Sequence, residues 1–165
     1  MIQYKTAKHV LTLLLVFMAG VLLSGVVVWY GSESAKTLSA IEPVYFTELN
    51  LVLSARVDTG AQTSSLSARN IEMFRLEGEN WVRFEIVHPN LSNEVKVEAP
   101  VARFAEIKQA NHPEPVSRPV VALVVEVQQH AYRLEFSLTD RSHLHYPVLL
   151  GRNLLQQGWL VDINQ

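Results

Sequence analysis

From Val10 to Tyr30 the chain carries 21 consecutive residues without a charge, and this run divides what can fold in water from what cannot. Its length matches the ~20 apolar residues a helix needs to cross a hydrocarbon core roughly 30 Å thick. Lys5 and Lys8 precede it and no acid does, which keeps the N-terminus cytoplasmic. Trp29 and Tyr30 close it, where aromatic rings anchor at a membrane interface. A cleaved signal peptide has a shorter apolar region and a small-residue cleavage site. Here only weak candidate sites follow, at Ser34, Ala35 and Ser39-Ala40, and a lipoprotein signal needs a cysteine that this sequence lacks. The expectation is a cytoplasmic stretch 1–9, an uncleaved transmembrane helix 10–30 in the inner membrane and a polar linker 31–40. The remainder, 41–165, is then a globular domain on the periplasmic side.

Without the two lysines ahead of the run, 12 basic residues face 16 acidic ones, a net charge of −4. Such a balance offers no nucleic-acid surface. The absence of cysteine excludes disulfides, thiol nucleophiles and cysteine-bound zinc.

Residues 41–165 have a mainly β texture. Leu49, Leu51, Leu53, Ala55 and Val57 alternate along one face of a strand that ends at Asp58. Trp81–Val87 and Glu94–Ala99 read as the arms of a hairpin turning through His88-Pro89-Asn90. Val120–Gln128 is apolar and β-branched, and Tyr132, Leu134, Phe136 and Leu138 alternate with Arg133, Glu135 and Ser137. Asn111–Pro119 contains three prolines and reads as a loop. The one helical piece after the membrane run is Arg152–Gln157. Short strands separated by turns predict a small barrel or sandwich, not a parallel α/β sheet.

Arg56-Val57-Asp58-Thr59-Gly60-Ala61 carries the chemistry. An apolar strand ends in an acid, a hydroxyl and a glycine, and Gly60 permits a tight turn and close backbone approach. Two such carboxylates face to face cannot both ionise, so they share one proton. The ionised one can take a proton from water while the protonated one polarises a peptide carbonyl. An Asp-Thr-Gly alone is usually an ordinary turn. A second element raises its meaning: Pro147-Val148-Leu149-Leu150-Gly151-Arg152-Asn153-Leu154-Leu155, an apolar strand running through Gly151 into a short helix. Gly151 lets that element pack closely behind the Asp58 loop.

These two elements together resemble the retropepsin-like aspartic peptidases. The fuller pattern is similar to a bacterial branch formerly described as ATP-dependent zinc proteases. It runs through Val57–Ala68, Trp81-Val82-Arg83-Phe84, Arg118-Pro119-Val120, Leu138-Thr139-Asp140-Arg141 and Leu149-Leu150-Gly151-Arg152. The resemblance covers residues 43–163. It implies a closed β-barrel with one short C-terminal helix and one Asp-Thr-Gly per chain, hence a homodimer. It further implies Asp58 as the catalytic acid and base, Thr59 locking the two active-site loops together, and Gly60 lining the substrate backbone. Ala61, Gln62 and Leu149 would contact a peptide substrate, with Gly151, Arg152 and Asp140 as structural support. Relatives accompany ligases that add glutamate, which implies a peptide or glutamate-rich polypeptide as substrate. Where retroviral enzymes have an acid, this chain has Gln62, leaving Asp140 or Asp162 as ionic partners for Arg152.

No cofactor or metal is expected. His143 and His145 form an H-x-H pair but lack a nameable third ligand, and H-E-x-x-H is absent. No Gly-rich phosphate loop supports a use of ATP. Thr63, Ser64, Ser65 and Ser67 lack a nucleophile elbow and read as strand hydroxyls. The rival to an anchored aspartic endopeptidase is a catalytically silent domain that binds a peptide or partner at the membrane.

Overall fold

Alternation of apolar and polar side chains sets most of the strands, and their pairings bring the two ends of the domain together. The computed structural model describes residues 35–89, 91, 93–107 and 115–164. The run 10–30 lies outside the described residues, among which no helix is long and apolar enough to cross a membrane. The strands are β1 (Lys36–Leu38), β2 (Ile41–Phe46), β3 (Leu51–Val57), β4 (Ser64–Leu76) and β5 (Glu79–Ile86). They continue with β6 (Val95–Ile107), β7 (Val116–Val127), β8 (His130–Thr139), β9 (Val148–Leu150) and β10 (Trp159–Val161). A four-residue helix, α1 (Arg152–Leu155), separates the last two strands. The expectation of a mainly β domain with one short C-terminal helix is met.

The main sheet returns on itself. β2 pairs with β3, β3 with β9, β9 with β4, β4 with β8, β8 with β7, and β7 again with β2. β5 and β6 form a second path from β4 to β7. Both ladders that place the Asp58 loop, β3 on β9 and β4 on β8, are parallel. Parallel neighbours must come from distant parts of a chain, because a short turn cannot join them.

Phe46, Phe84, Phe136, Leu66, Ile86, Leu138 and Leu150 are fully buried at the centre. Phe46 and Phe136 meet with ring centroids 5.4 Å apart at a tilt of 47°, one of the offset geometries favoured by aromatic quadrupoles. In β8 the apolar set Leu134, Phe136 and Leu138 faces inward as its alternation predicts. β4 behaves differently: Ser64 to Ala68 are all buried, on both faces. Strand alternation cannot show in a segment covered on both sides, and three of these five residues are serines.

Three segments depart from the sequence expectations. The hairpin over 81–99 forms, with Trp81 opposite Pro100 and Ile86 opposite Val95, but β6 continues to Ile107. Val116–Pro119, expected as loop, belongs to β7, with Pro119 opposite Phe104. Proline is tolerated there because β7 gains β8 as a neighbour only from Val120 onward, so Pro119 sits on an open edge that needs no N–H donor. Lys36–Leu38, inside the stretch expected as linker, pairs in parallel with Trp159–Val161. Around that pair, Trp159 Nε1 donates to the Tyr132 hydroxyl and the Glu42 carboxylate accepts from Ser39 N and Gln128 Nε2.

The Phe46–Phe136 contact generates a direct expectation. Phe136→Ala, which empties the ring centre, should cost about 3–5 kcal/mol, read from the urea midpoint of unfolding. Val52→Ala, at an exposed β3 position, should change stability by under ~0.5 kcal/mol.

Candidate functional site

The carboxyl end of β3 and the turn between β9 and α1 cross back to back, and Asp58 stands at the crossing. Val57 is in parallel register with Leu150, and one residue on Asp58 N donates to Leu150 O at 2.9 Å. Asp58 is half-buried, and its Oδ1 accepts from Gly60 N at 2.8 Å. A Cβ on Gly60 would lie 3.1 Å from that oxygen. Asp-Thr-Gly therefore folds into a turn in which the backbone orients the acid. Thr59 is exposed, and its hydroxyl makes no hydrogen bond among the described residues.

The second element holds this turn through its own backbone. Arg152 N donates to Ala61 O at 2.8 Å and Asn153 N to Gln62 O at 3.2 Å. Gly151 N donates to Ser64 Oγ at 3.0 Å. A Cβ on Gly151 would fall 2.9 Å from both Ala61 O and the Thr63 carbonyl carbon, too close for any side chain. Its backbone, with φ −96° and ψ −172°, is open to any residue. Glycine is required here for space, not for a left-handed turn.

Asn153 completes the clamp, a role the sequence pattern did not bring out. Its Oδ1 accepts from Ser64 N at 2.9 Å and Ser64 Oγ at 2.8 Å, and its Nδ2 donates to Glu135 O at 2.9 Å. One planar amide thus joins the loop after Asp58, α1 and β8. The signal available in sequence was a polar residue at the second position of a short apolar helix.

Arg152 and Asp140 are placed differently from expectation. The Arg152 side chain is exposed and forms no ion pair among the described residues, so its link to the loop is the backbone N–H. Asp140 pairs instead with Arg69 Nε at 3.0 Å and accepts from Ser142 N at 2.9 Å. Hydrogen bonds from Ser142, then Arg69, lower its carboxyl to about 2 from an ordinary 3.8. Asp162 caps the C-terminal turn by accepting from Asn164 N. His143 and His145 lie in the exposed turn after β8, not on a strand, and no group of three metal-binding side chains forms among the described residues.

Beside the Asp58 loop is a cavity of about 570 Å³. Ala61, Gln62 and Leu149 line it, as do Ser65, Arg103 and Arg118. Its outer wall comes from β6 and β7, the far half of a hairpin whose pairing runs from Val101 opposite Val121 to Ile107 opposite Val116. At the end of β5 the His88 ring bonds Leu144 O, in the segment after β8, at 3.1 Å. Arg141 is half-buried, with its Nη1 on Ser65 Oγ at 3.1 Å and its backbone N on Ser67 Oγ at 3.2 Å. Burial, then the positive charge of Arg118, lowers its guanidinium below the ordinary 12.5, and Asp58 acts in the opposite direction. The sequence placed Arg118 in a pattern without a role and read Asp140-Arg141 as a structural ion pair or turn, with substrate contact as the lesser reading; Asp140 pairs instead with Arg69.

A β-sheet ring carrying an oriented Asp-Thr-Gly turn, braced by a Gly-Arg-Asn turn, defines an aspartic-peptidase-like domain. The model of the RimB-like family, described as retropepsin-like aspartic endopeptidase RimB, matches residues 37–165; the chain belongs to that family. A Shewanella halifaxensis protein named probable alpha-L-glutamate ligase is 42% identical over 114 residues, covering 67% of this chain and 24% of that protein. A Desulfotalea psychrophila protein of the same name is 32% identical over 131 residues, covering 77% and 28% respectively. The chain spans about a quarter of the length of the curated relatives it matches. The crystal structure of a Legionella pneumophila protein of unknown function superimposes with a TM-score of 0.68 at 28% identity, covering 80% of this chain and 96% of that one.

Two measurements test the brace. Gly151→Ala should destabilise the fold by about 1–3 kcal/mol through backbone overlap, whereas Arg152→Ala should cost under ~0.5 kcal/mol; equal losses in urea titration would contradict a backbone brace. The Asp140 contribution is smaller, because both partners are about half exposed and such pairs supply at most ~1 kcal/mol. A lowered folded-state pKa stabilises above the unfolded value and is lost as pH falls through the folded one. The stability gap between wild type and Asp140→Asn should therefore hold above about pH 4 and close toward pH 2.

Proposed function

We propose that this chain is an aspartic endopeptidase that hydrolyses peptide bonds with Asp58 from each of two copies. The observation that carries the reading is the Asp58 carboxylate, held at 2.8 Å by the Gly60 N–H on a turn clamped through Gly151. In this reading the strand ring is the closed barrel of the retropepsin-like fold, and the exposed Thr59 of one copy meets the second copy. The two carboxyls hold one proton between them. The ionised Asp58 takes a proton from water as its oxygen adds to the peptide carbonyl carbon, and the protonated Asp58 donates to the carbonyl oxygen. Collapse breaks the C–N bond: the carboxyl that took the water proton gives it to the leaving amine, and the other recovers a proton from a diol hydroxyl, so that the pair again holds one proton.

Glutamate-rich polypeptides are the substrate class this reading favours. Proteins named as glutamate ligases carry a segment similar to this chain, and the cavity beside Asp58 has Arg103 and Arg118 in its lining. Residues 10–30 would anchor the enzyme in the inner membrane with its domain on the periplasmic side, where confinement raises the effective concentration of a second copy.

Full-length chain in non-ionic detergent, wild type and Asp58→Asn, incubated with a peptide pool containing oligoglutamate, tests the proposal by mass spectrometry. The expected result is cleavage by wild type that a metal chelator leaves unchanged, with a loss of at least ~10³-fold in Asp58→Asn. Wild-type rates in that variant would remove the assignment, and a folded dimer that cleaves nothing would favour a binding domain.

A further inference from the structure

β10 is apolar on both of its faces, and the described chain covers only one. Trp159 is buried, Val161 is part-buried, and Leu160 between them stands 60% exposed. A strand position that faces water is ordinarily polar, as Arg133 is in β8. Just past β10, Ile163 is the most exposed large apolar side chain among the described residues, at 77%. Asp162, immediately before it, is part-buried and accepts from Asn164 N at 2.9 Å.

What covers these side chains follows from where the chain is tied. β1 is locked to β10 in parallel register, with Thr37 opposite Leu160. Leu38 is fully buried, its carbonyl accepts from Asp162 N at 2.9 Å, and Thr37 O accepts from Gln128 Nε2 at 3.0 Å. The start of β1 is thus a fixed point of the domain and not a swivel. Only residues 31–35 lie between Lys36 and Tyr30, the last residue of the uncharged run. Fully extended, that stretch spans roughly 20 Å at most, and paired strands are ~4.8 Å apart. With residues 10–30 in a bilayer, Leu160 cannot stand farther than about 25 Å from the end of the span. The Lys36 ammonium lies 5.6 Å from the centre of the Trp159 ring, which puts a cation at the same point, as segments beside a membrane carry.

We infer that Leu160 and Ile163 form a second membrane contact, seated in the interfacial layer of the bilayer that holds residues 10–30, and that they fix the face the domain turns to the lipid. This contact rests on the anchoring of residues 10–30, not on hydrolysis at Asp58. A tether alone leaves a domain free to rotate above the surface. Two apolar side chains beside the tether point remove that freedom, and the layer they enter takes up apolar surface that water would otherwise meet. The same pole leads to the site: two residues past β1, Ala40 O accepts from Val57 N at 3.0 Å, next to Asp58. Seating the pole therefore also sets the height of the Asp58 turn above the lipid.

The sequence contains no cysteine, so a single introduced one reports on one place. Full-length Leu160→Cys, Ile163→Cys and Val52→Cys chains carry an environment-sensitive nitrobenzoxadiazole label and are reconstituted into vesicles of phosphatidylethanolamine and phosphatidylglycerol. Val52 is as exposed as Leu160, at 60%, and lies opposite Tyr45, near the end of the β2–β3 ladder away from β1. Nitroxide lipid should quench the labels at 160 and 163 severalfold more than the label at 52, and their emission should be blue-shifted relative to it. Adding Ile163→Asp to labelled Leu160→Cys should bring its quenching down toward that of position 52; circular dichroism melting checks that the variants fold. Equal quenching at all positions, in chains that float with the vesicles, overturns the contact and leaves the anchor standing. Emission that changes with the protein-to-lipid ratio but not with nitroxide lipid makes a second copy the occupant and overturns it as well. Chains that stay out of the vesicles overturn the anchor and the contact together. Peptide hydrolysis enters none of these readouts, so the peptidase reading stands or falls separately.

Discussion

The close approach of two backbones at Gly151 is the constraint on which the site depends. Asp58 is oriented by its own turn, but that turn is fixed in space only because Ala61 and Gln62 hydrogen-bond to the first residues of α1. Those bonds require the chains to come nearer than any side chain at Gly151 permits. Close packing of main chain on main chain leaves little room for relaxation. It therefore gives the short Asp58 loop rigidity in a region with little regular structure of its own.

Polar groups buried at this crossing are paired, which is what makes the arrangement affordable. Ser64 is fully buried, yet its N–H and hydroxyl both reach Asn153 Oδ1, and its Oγ receives Gly151 N–H. Among the described residues no buried side-chain nitrogen or oxygen lacks a partner. A network satisfied in this way specifies one geometry, since each alternative leaves a buried donor or acceptor unmade. Among the described residues, Arg118 on the cavity lining and the exposed Arg152 form no ion pair.

Much of the strand pattern was legible because one-sided burial writes itself as alternation, as in Leu134, Phe136 and Leu138. The Asp58 turn and the need for glycine at 151 were legible too, since each rests on a local peculiarity of residue type. Three features were hidden for identifiable reasons. β4 is buried on both faces near Ser64 and carries serines where apolar residues would mark a strand. β1 looks like linker because its partner lies at the other end of the domain. The placement of Arg118 and Arg141 depends on which strands pair, so neither residue carries a local signal of its closeness to Asp58. Asp140 illustrates the same limit: Gln62 in place of an acid left it as a candidate partner for Arg152, while the fold gave it Arg69.

The hydrogen bonds around Asn153 join positions 89 residues apart in sequence. A chain emerging from the ribosome presents Asp58-Thr59-Gly60 long before the glycine and the asparagine that hold it. Contacts of such long range form late, after the entropy of closing a large loop has been met. The Asp58 turn is thus synthesised ahead of the residues that hold it and is fixed in place only as residues 151–153 dock.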